Sequence, residues 1–262
     1  MNVEDLTLKL RPRGPYEAMD LGQALLRRNA RQVYVAWATT VVPFGLAAIT
    51  LTPLSPWLPW LLIWWMKPVY DRVVLAVLSR TVFGEGVGVR DLPWRRIFDR
   101  SLLWALTLGR LDPARSFNLP VHMLEGLDPV RRGARLKVLR KGMRFPATLM
   151  TTAFVHGEQA LSIAFVVLLG LFVPQGVDLP VWSWLFGSEG PGWFAFVEVG
   201  AYLLAITALE PLYVACGFTL YLNRRVGIEA WDIEVALKGE LAKTARRDDA
   251  ARAADAGPVT TA

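Results

Sequence analysis

One cysteine, Cys216, and two histidines, His122 and His156, are the whole supply of thiol and imidazole groups in this sequence of 262 residues. A single thiol excludes an internal disulfide and any cysteine-based metal site. No nucleophile elbow, phosphate-cradling glycine loop or paired-carboxylate signature is present, so no residue pattern points to an enzyme. The first apolar run begins only after about thirty residues, and the sequence therefore predicts no cleavable signal peptide. Lysine and arginine are missing from two stretches, "TPLSP" at 52–56 and "PQGVDLPVWSWLFGSEGPG" at 174–192.

What is abundant is grease. The chain is 53% hydrophobic, with a mean hydropathy of +0.33 and eleven tryptophans. That composition fits a membrane protein better than a soluble domain. Charged residues still make up 20%, so substantial parts face water. The formal net charge of +6 is read as loop asymmetry rather than as nucleic-acid binding. Four segments are long enough to cross a hydrocarbon core of about 30 Å. They are Gln32–Leu51, about Trp57–Leu78, Pro146–Val173 and about Trp193–Leu222.

The two basic-free stretches join the first span to the second and the third to the fourth. Apart from Lys67 and Arg72, every Lys and Arg lies before the first span, between the second and third, or from the end of the fourth onward. The positive-inside rule then makes both termini cytoplasmic. Trp182, Trp184 and Phe186 in the second external loop suit a membrane interface. Residues 1–31 form a cytoplasmic amphipathic segment, with Ala18, Met19, Leu25 and Leu26 roughly on one face. Residues 32–82 form a first membrane hairpin and 83–145 a basic interfacial segment. Within it, "DLPWRRIFDRSLLWALTLGRL" is expected to lie flat in the interface, with a fifth span as the alternative. "DPVRRGARLKVLRKGMR" reads as a basic helix, gaining about 1 kcal/mol per Lys or Arg near an anionic leaflet. Residues 146–222 form a second hairpin, 223–241 an amphipathic helix and 242–262 a disordered tail.

"KPVYDR", from Lys67, places charge inside an apolar run, and "EPLYVACGFTLYLNRR", from Glu210, repeats its form. Pro68 aligns with Pro211, and Tyr70 with Tyr213. Lys67 precedes Arg80 by thirteen residues, and Glu210 precedes Asn223 by thirteen, which puts both charges about 20 Å from the cytoplasmic end. "LRRNAR" and "LRKGMR" enter the first and third spans, so the chain reads as two related halves pointing the same way. A charge at mid-bilayer costs about 2.5–3.5 kcal/mol, which forces it inward to a partner. The expected cluster is Lys67, Asp71, Arg72, His156, Glu158 and Glu210, with Lys67 and Asp71 also spaced to pair along one helix. Pro68 and Pro211 each free a carbonyl one turn back and are placed to kink their helices.

The near balance of signs favours a structural cluster; ion or proton coupling through Glu158 or Glu210 beside His156 is the alternative. His156 and Glu158 lie two apart, about 200° around a helix, and cannot act together unless Gly157 opens the turn. A metal site of His156, Glu158 and Glu210 has only one imidazole to offer, and neither a metal nor a cofactor is assigned. Cys216 is read as a packing residue and His122 as structural. Small residues at Gly200, Ala201 and 215–217 serve internal packing or a homo-oligomer equally well.

"LRPRGPYEAMDLG", "KPVYDR", "ARSFNLPVHMLEGL" and "EPLYVACGFTLYLNRRVGIEAWDIEVAL" resemble a family of uncharacterised proteobacterial inner-membrane proteins. The closing motif is similar to the glycerophosphodiester-phosphodiesterase membrane-domain superfamily, whose membrane domain has no assigned catalysis. The resemblance runs from about Leu8 to Leu237 and implies genomic company, since relatives are encoded near MoxR-type AAA ATPases and von Willebrand A-type proteins; it carries over no functional residue. The expectation is an all-α, four-span bundle in two related halves. Its expected function is a non-enzymatic scaffold or assembly partner, with a small transporter or channel component as the alternative. The lipid bilayer, membrane proteins and an AAA ATPase are the expected partners, and nucleic acid is not.

Overall fold

The computed structural model describes residues 13–82, 84–172, 184 and 191–229. Among these there are nine α-helices and no strand. They are α1 Pro15–Arg28, α2 Ala30–Leu51, α3 Trp57–Thr81, α4 Trp94–Ile97, α5 Arg100–Leu106, α6 Arg115–Met123, α7 Pro129–Arg140, α8 Arg144–Leu171 and α9 Phe194–Glu229. Short 3-10 turns at Val89–Asp91 and Leu108–Leu111 flank α4 and α5.

Local chemistry explains several boundaries. Pro15 occupies the first turn of α1, where its missing N–H costs nothing. The Asp128 carboxylate accepts from the Val130 and Arg131 N–H groups and starts α7. Asp99 does the same for α5 through Ser101 N–H. That cap breaks "DLPWRRIFDRSLLWALTLGRL" into helices of four and seven residues. The segment is therefore neither one flat interfacial helix nor a fifth span. It folds back against α3, to which both α4 and α5 are packed.

The long helices follow the hydropathy. Three of them, α2, α8 and α9 over Phe194–Ile228, are long and apolar enough to cross a membrane. The 25-residue α3 is of comparable length but carries Lys67, Asp71 and Arg72 in its middle, which separates it from the other three. Their flanks expose large apolar side chains: Val42 and Leu46 on α2, Leu168 and Leu169 on α8, Leu204 on α9. Apolar surface on that scale marks contact with lipid or protein. In contrast, every residue of α3 from Lys67 to Leu78 is buried. α3 lies among α2, α5, α6 and α9, while α8 and α1 pack along α9.

α1 docks closely because Gly22 has no side chain. A Cβ there would sit 2.7 Å from the Ala215 carbonyl oxygen and from Cys216 backbone atoms. Ala18, Gly22, Leu25 and Leu26 form its buried face, and Met19 packs at the edge. The Cys216 thiol, also buried, donates to the Met19 carbonyl at 3.4 Å. α9 continues without interruption to Glu229, so the expected change of element at residue 223 does not occur. Most of the expected helix at 223–241, the tail at 242–262, and Trp182 and Phe186 lie outside the described residues.

Candidate functional site

The cluster is built on four helices. The Lys67 ammonium of α3 donates to Glu158 Oε2 of α8 at 2.5 Å and to Glu210 Oε2 of α9 at 2.7 Å. Arg115, the first residue of α6, donates from a terminal guanidinium nitrogen to Glu210 Oε1 at 2.9 Å. Glu210 thus uses both oxygens, one for each cation. Relative exposure is 1% at Lys67, 4% at Glu158 and 0% at Glu210, so water does little to screen these charges. Two cations face two carboxylates, and each ion has an opposite partner within hydrogen-bond distance.

Asp71 lies buried beside Glu210, with Oδ1 unpartnered, and makes no pair with Lys67. A cavity of about 30 Å³ adjoins it, lined by Pro68, Arg110, Arg115 and His122 among others, with room for about two water molecules. Arg110 also answers the proline beside Lys67. Pro68 cannot donate to the Trp64 carbonyl one turn back. An Arg110 guanidinium nitrogen takes that carbonyl at 2.6 Å, and the guanidinium stacks 3.7 Å above the Trp64 ring. Both prolines lie inside continuous helices.

Two residues expected in the cluster are elsewhere. Arg72 is fully buried, but its guanidinium faces the α4–α5 corner. It donates to the Ile97 carbonyl at 2.9 Å, to Asp99 at 2.8 Å and to the Ser101 hydroxyl at 2.6 Å. Five positions separate it from Lys67, which turns it about 140° around the helix. His156 is exposed, with Nδ1 2.8 Å from the Thr152 carbonyl oxygen. The turn at Gly157 stays helical, so His156 and Glu158 point apart. The trio once considered for a metal does not assemble, and among the described residues no group of three such ligands does.

Tyr70 and Tyr213, matched in sequence, have different surroundings. Tyr70 packs edge-on to Trp37 at 5.3 Å, its hydroxyl unpartnered. The Tyr213 ring lies under Arg115 at 5.1 Å; its hydroxyl is 3.0 Å from Thr151 Oγ1 and its carbonyl accepts from Ser116 Oγ at 2.8 Å.

No family model, curated protein or solved structure matches this chain. The reading of the site therefore rests on its geometry.

Arg110 and Arg115 are the residues that sequence reasoning missed. They sit in a segment where the positive-inside rule already expects arginine, so neither stood out. The motif "ARSFNLP" was visible, but only docking against α9 gives its arginine a partner.

His122 titrates where it can be measured. Its ring stacks on Trp104 at 4.7 Å, and neither ring nitrogen has a partner. Burial, aided by nearby Arg132 and Arg72, pushes its pKa down to about 4. The folded state therefore holds His122 neutral where an unfolded histidine, near pKa 6.5, takes a proton. Its contribution is fully present above pH 6.5 and is lost as the pH falls toward 4. The expected loss is about 3 kcal/mol over that interval. Melting curves of wild type and His122→Asn from pH 7 to pH 4 check it: the wild type should lose more stability than the variant.

Proposed function

We propose that this chain is a non-enzymatic scaffold of the bacterial inner membrane, with four spans and both termini cytoplasmic. α2, α3, α8 and α9 are the spans. The observation that carries the reading is the buried, neutral ion network of Lys67, Glu158, Glu210 and Arg115. Ion pairs of this kind are a poor source of net stability against apolar packing, but they punish wrong pairings of helices. Lys67 in α3 accepts only a neighbour that presents a carboxylate at its depth, and α8 and α9 both do. Arg115 extends the same selection to the cytoplasmic segment, fastening α6 onto α9. The element order supports two related halves: α1 precedes the α2–α3 hairpin, as α7 precedes the α8–α9 pair.

A scaffold acts through what it holds. The exposed basic face of α7, with Arg131, Lys137 and Lys141 at its rim or end, is the surface offered to anionic lipid or to a cytoplasmic partner. The family resemblance makes an AAA ATPase the partner class to look for. In-cell crosslinking from α7 followed by mass spectrometry tests this. A reproducible protein partner is expected, and recovery of lipid adducts alone would overturn the scaffold reading.

The small cavity beside Asp71, which Arg110 and Arg115 also line, favours a second reading, a component for ion or proton movement. Proteoliposome flux that is lost in Glu210→Gln, in protein that still melts cooperatively, would decide for it.

A further inference from the structure

A second cavity, of about 940 Å³, opens between α3, α4, α9 and the α6–α7 connection. It shares no residue with the ion cluster. Four arginines from four helices converge on it: Arg80 of α3, Arg96 of α4, Arg135 of α7 and Arg225 of α9. Two carboxylates, Glu85 and Glu125, line it too, which leaves an excess of two positive charges among the described residues. Arg80 lies in the last turn of α3, where the helix dipole favours a cation, but that accounts for one arginine and not four.

Part of the wall is prebuilt. Glu125 receives Arg135 through two guanidinium nitrogens, at 2.9 and 3.2 Å, and the Tyr221 hydroxyl at 2.7 Å. Its charge is consumed there. Arg80 donates only to the Asp91 carbonyl, and neither Arg80 nor Arg96 has a carboxylate in ion-pair range among the described residues. The inner wall is apolar, with Ala76 and Phe218. A basic mouth over an apolar floor is complementary to a phosphate group attached to something greasy, and guanidinium forks match phosphate oxygens in pairs.

We propose that this cavity binds a phosphate group, clasped by Arg80 and Arg96. The phosphate belongs either to an anionic phospholipid of the adjoining leaflet or to a soluble phosphate. The lipid source alone rests on the membrane placement proposed above; the site itself does not.

The test uses the purified full chain in neutral detergent. Retention of phosphatidylglycerol over phosphatidylcholine is read by native mass spectrometry, and inorganic phosphate binding by calorimetry. Arg80→Gln with Arg96→Gln should lower the bound fraction at least ten-fold. Ser79→Phe, which narrows the cavity beside Arg80 and keeps both arginines, should also lower it. Arg27→Gln with Arg31→Gln removes two exposed charges outside it and should change retention less than two-fold. In wild-type protein the bound ligand should also shield Arg80 and Arg96, but not Arg27, from phenylglyoxal. Selective phosphatidylglycerol retention with this pattern assigns a lipid; phosphate binding with the same pattern and no lipid preference assigns a soluble ligand. Equal retention in all variants, or equal labelling of Arg80 and Arg96 with and without both probes, overturns the proposal. None of these readouts depends on whether the chain scaffolds a partner.

Discussion

Lys67→Met should destabilise the protein by about 3–5 kcal/mol, and Glu158→Gln placed in the same chain should restore most of that loss. The single change leaves Glu158 without a cation and Glu210 with Arg115 alone. A buried ion stripped of its partner costs about that much, far more than the pair itself contributes. Removing Glu158 as well leaves the Arg115–Glu210 pair, at 2.9 Å, whole and neutral. Glu210→Leu behaves differently, because Glu210 serves both cations. It orphans Arg115, and adding Lys67→Leu does not help, since Glu158 and Arg115 then remain with no partner between them. The network thus divides into two neutral pairs, Lys67 with Glu158 and Arg115 with Glu210, and compensation follows that division. Chemical or thermal melts of the two singles and two doubles in one detergent measure it. Equal stability of Lys67→Met and its Glu158→Gln double would sink the assignment.

Gly217→Val is expected to cost about 3 kcal/mol, at the upper end for overpacking. A Cβ on Gly217 would lie 2.7 Å from the carbonyl carbon of Ser116 and would overlap its hydroxyl. Backbone on the facing helix cannot rotate aside as a side-chain tip can. α6 must lift from α9, breaking the Ser116 hydroxyl bond to the Tyr213 carbonyl and drawing the neighbouring Arg115 from Glu210. The cost should therefore overlap with that of Arg115→Met, giving a coupling above 1 kcal/mol in a double-mutant cycle. Gly200→Ala is the control. Nothing lies within 4 Å of a Cβ there, and alanine is the better helix former, so it should be neutral or slightly stabilising.

These two glycines also show why small residues on α9 could not be sorted from the sequence. Gly200, Ala215 and Gly217 are alike as letters. In the fold, Gly217 admits α6, Ala215 meets α1 through its carbonyl opposite Gly22, and Gly200 is open. The reading as internal packing holds for Gly217, and among the described residues nothing lies within 4 Å of a Cβ placed on Gly200.

The limits of legibility have the same origin elsewhere. α2 and α8 begin and end within two residues of their expected bounds, because apolar length is a local property. The buried face of α1 was readable for a similar reason: its periodicity needs no partner to be seen. By contrast, "DLPWRRIFDRSLLWALTLGRL" looked like one amphipathic helix until Asp99 was seen to cap a new one and to receive Arg72. Burial alone would raise the Asp99 pKa, but the Ser101 hydroxyl and the Arg72 guanidinium outweigh it and hold it below the usual carboxylate range.

The order of residues alone determined that the chain is helical, where its apolar helices lie, and that Lys67 and Glu210 could not remain unpaired, since hydropathy and the cost of desolvating a charge belong to each segment separately. Only the tertiary structure decided which ions meet. The choice of Glu158 over His156 is set by the rotation of α8, the loss of Arg72 to Asp99 by the rotation of α3, and the arrival of Arg115 by a helix that docks where α9 has no side chain. Rotation and docking are properties of helix pairs, fixed by close packing between surfaces that are far apart in the sequence.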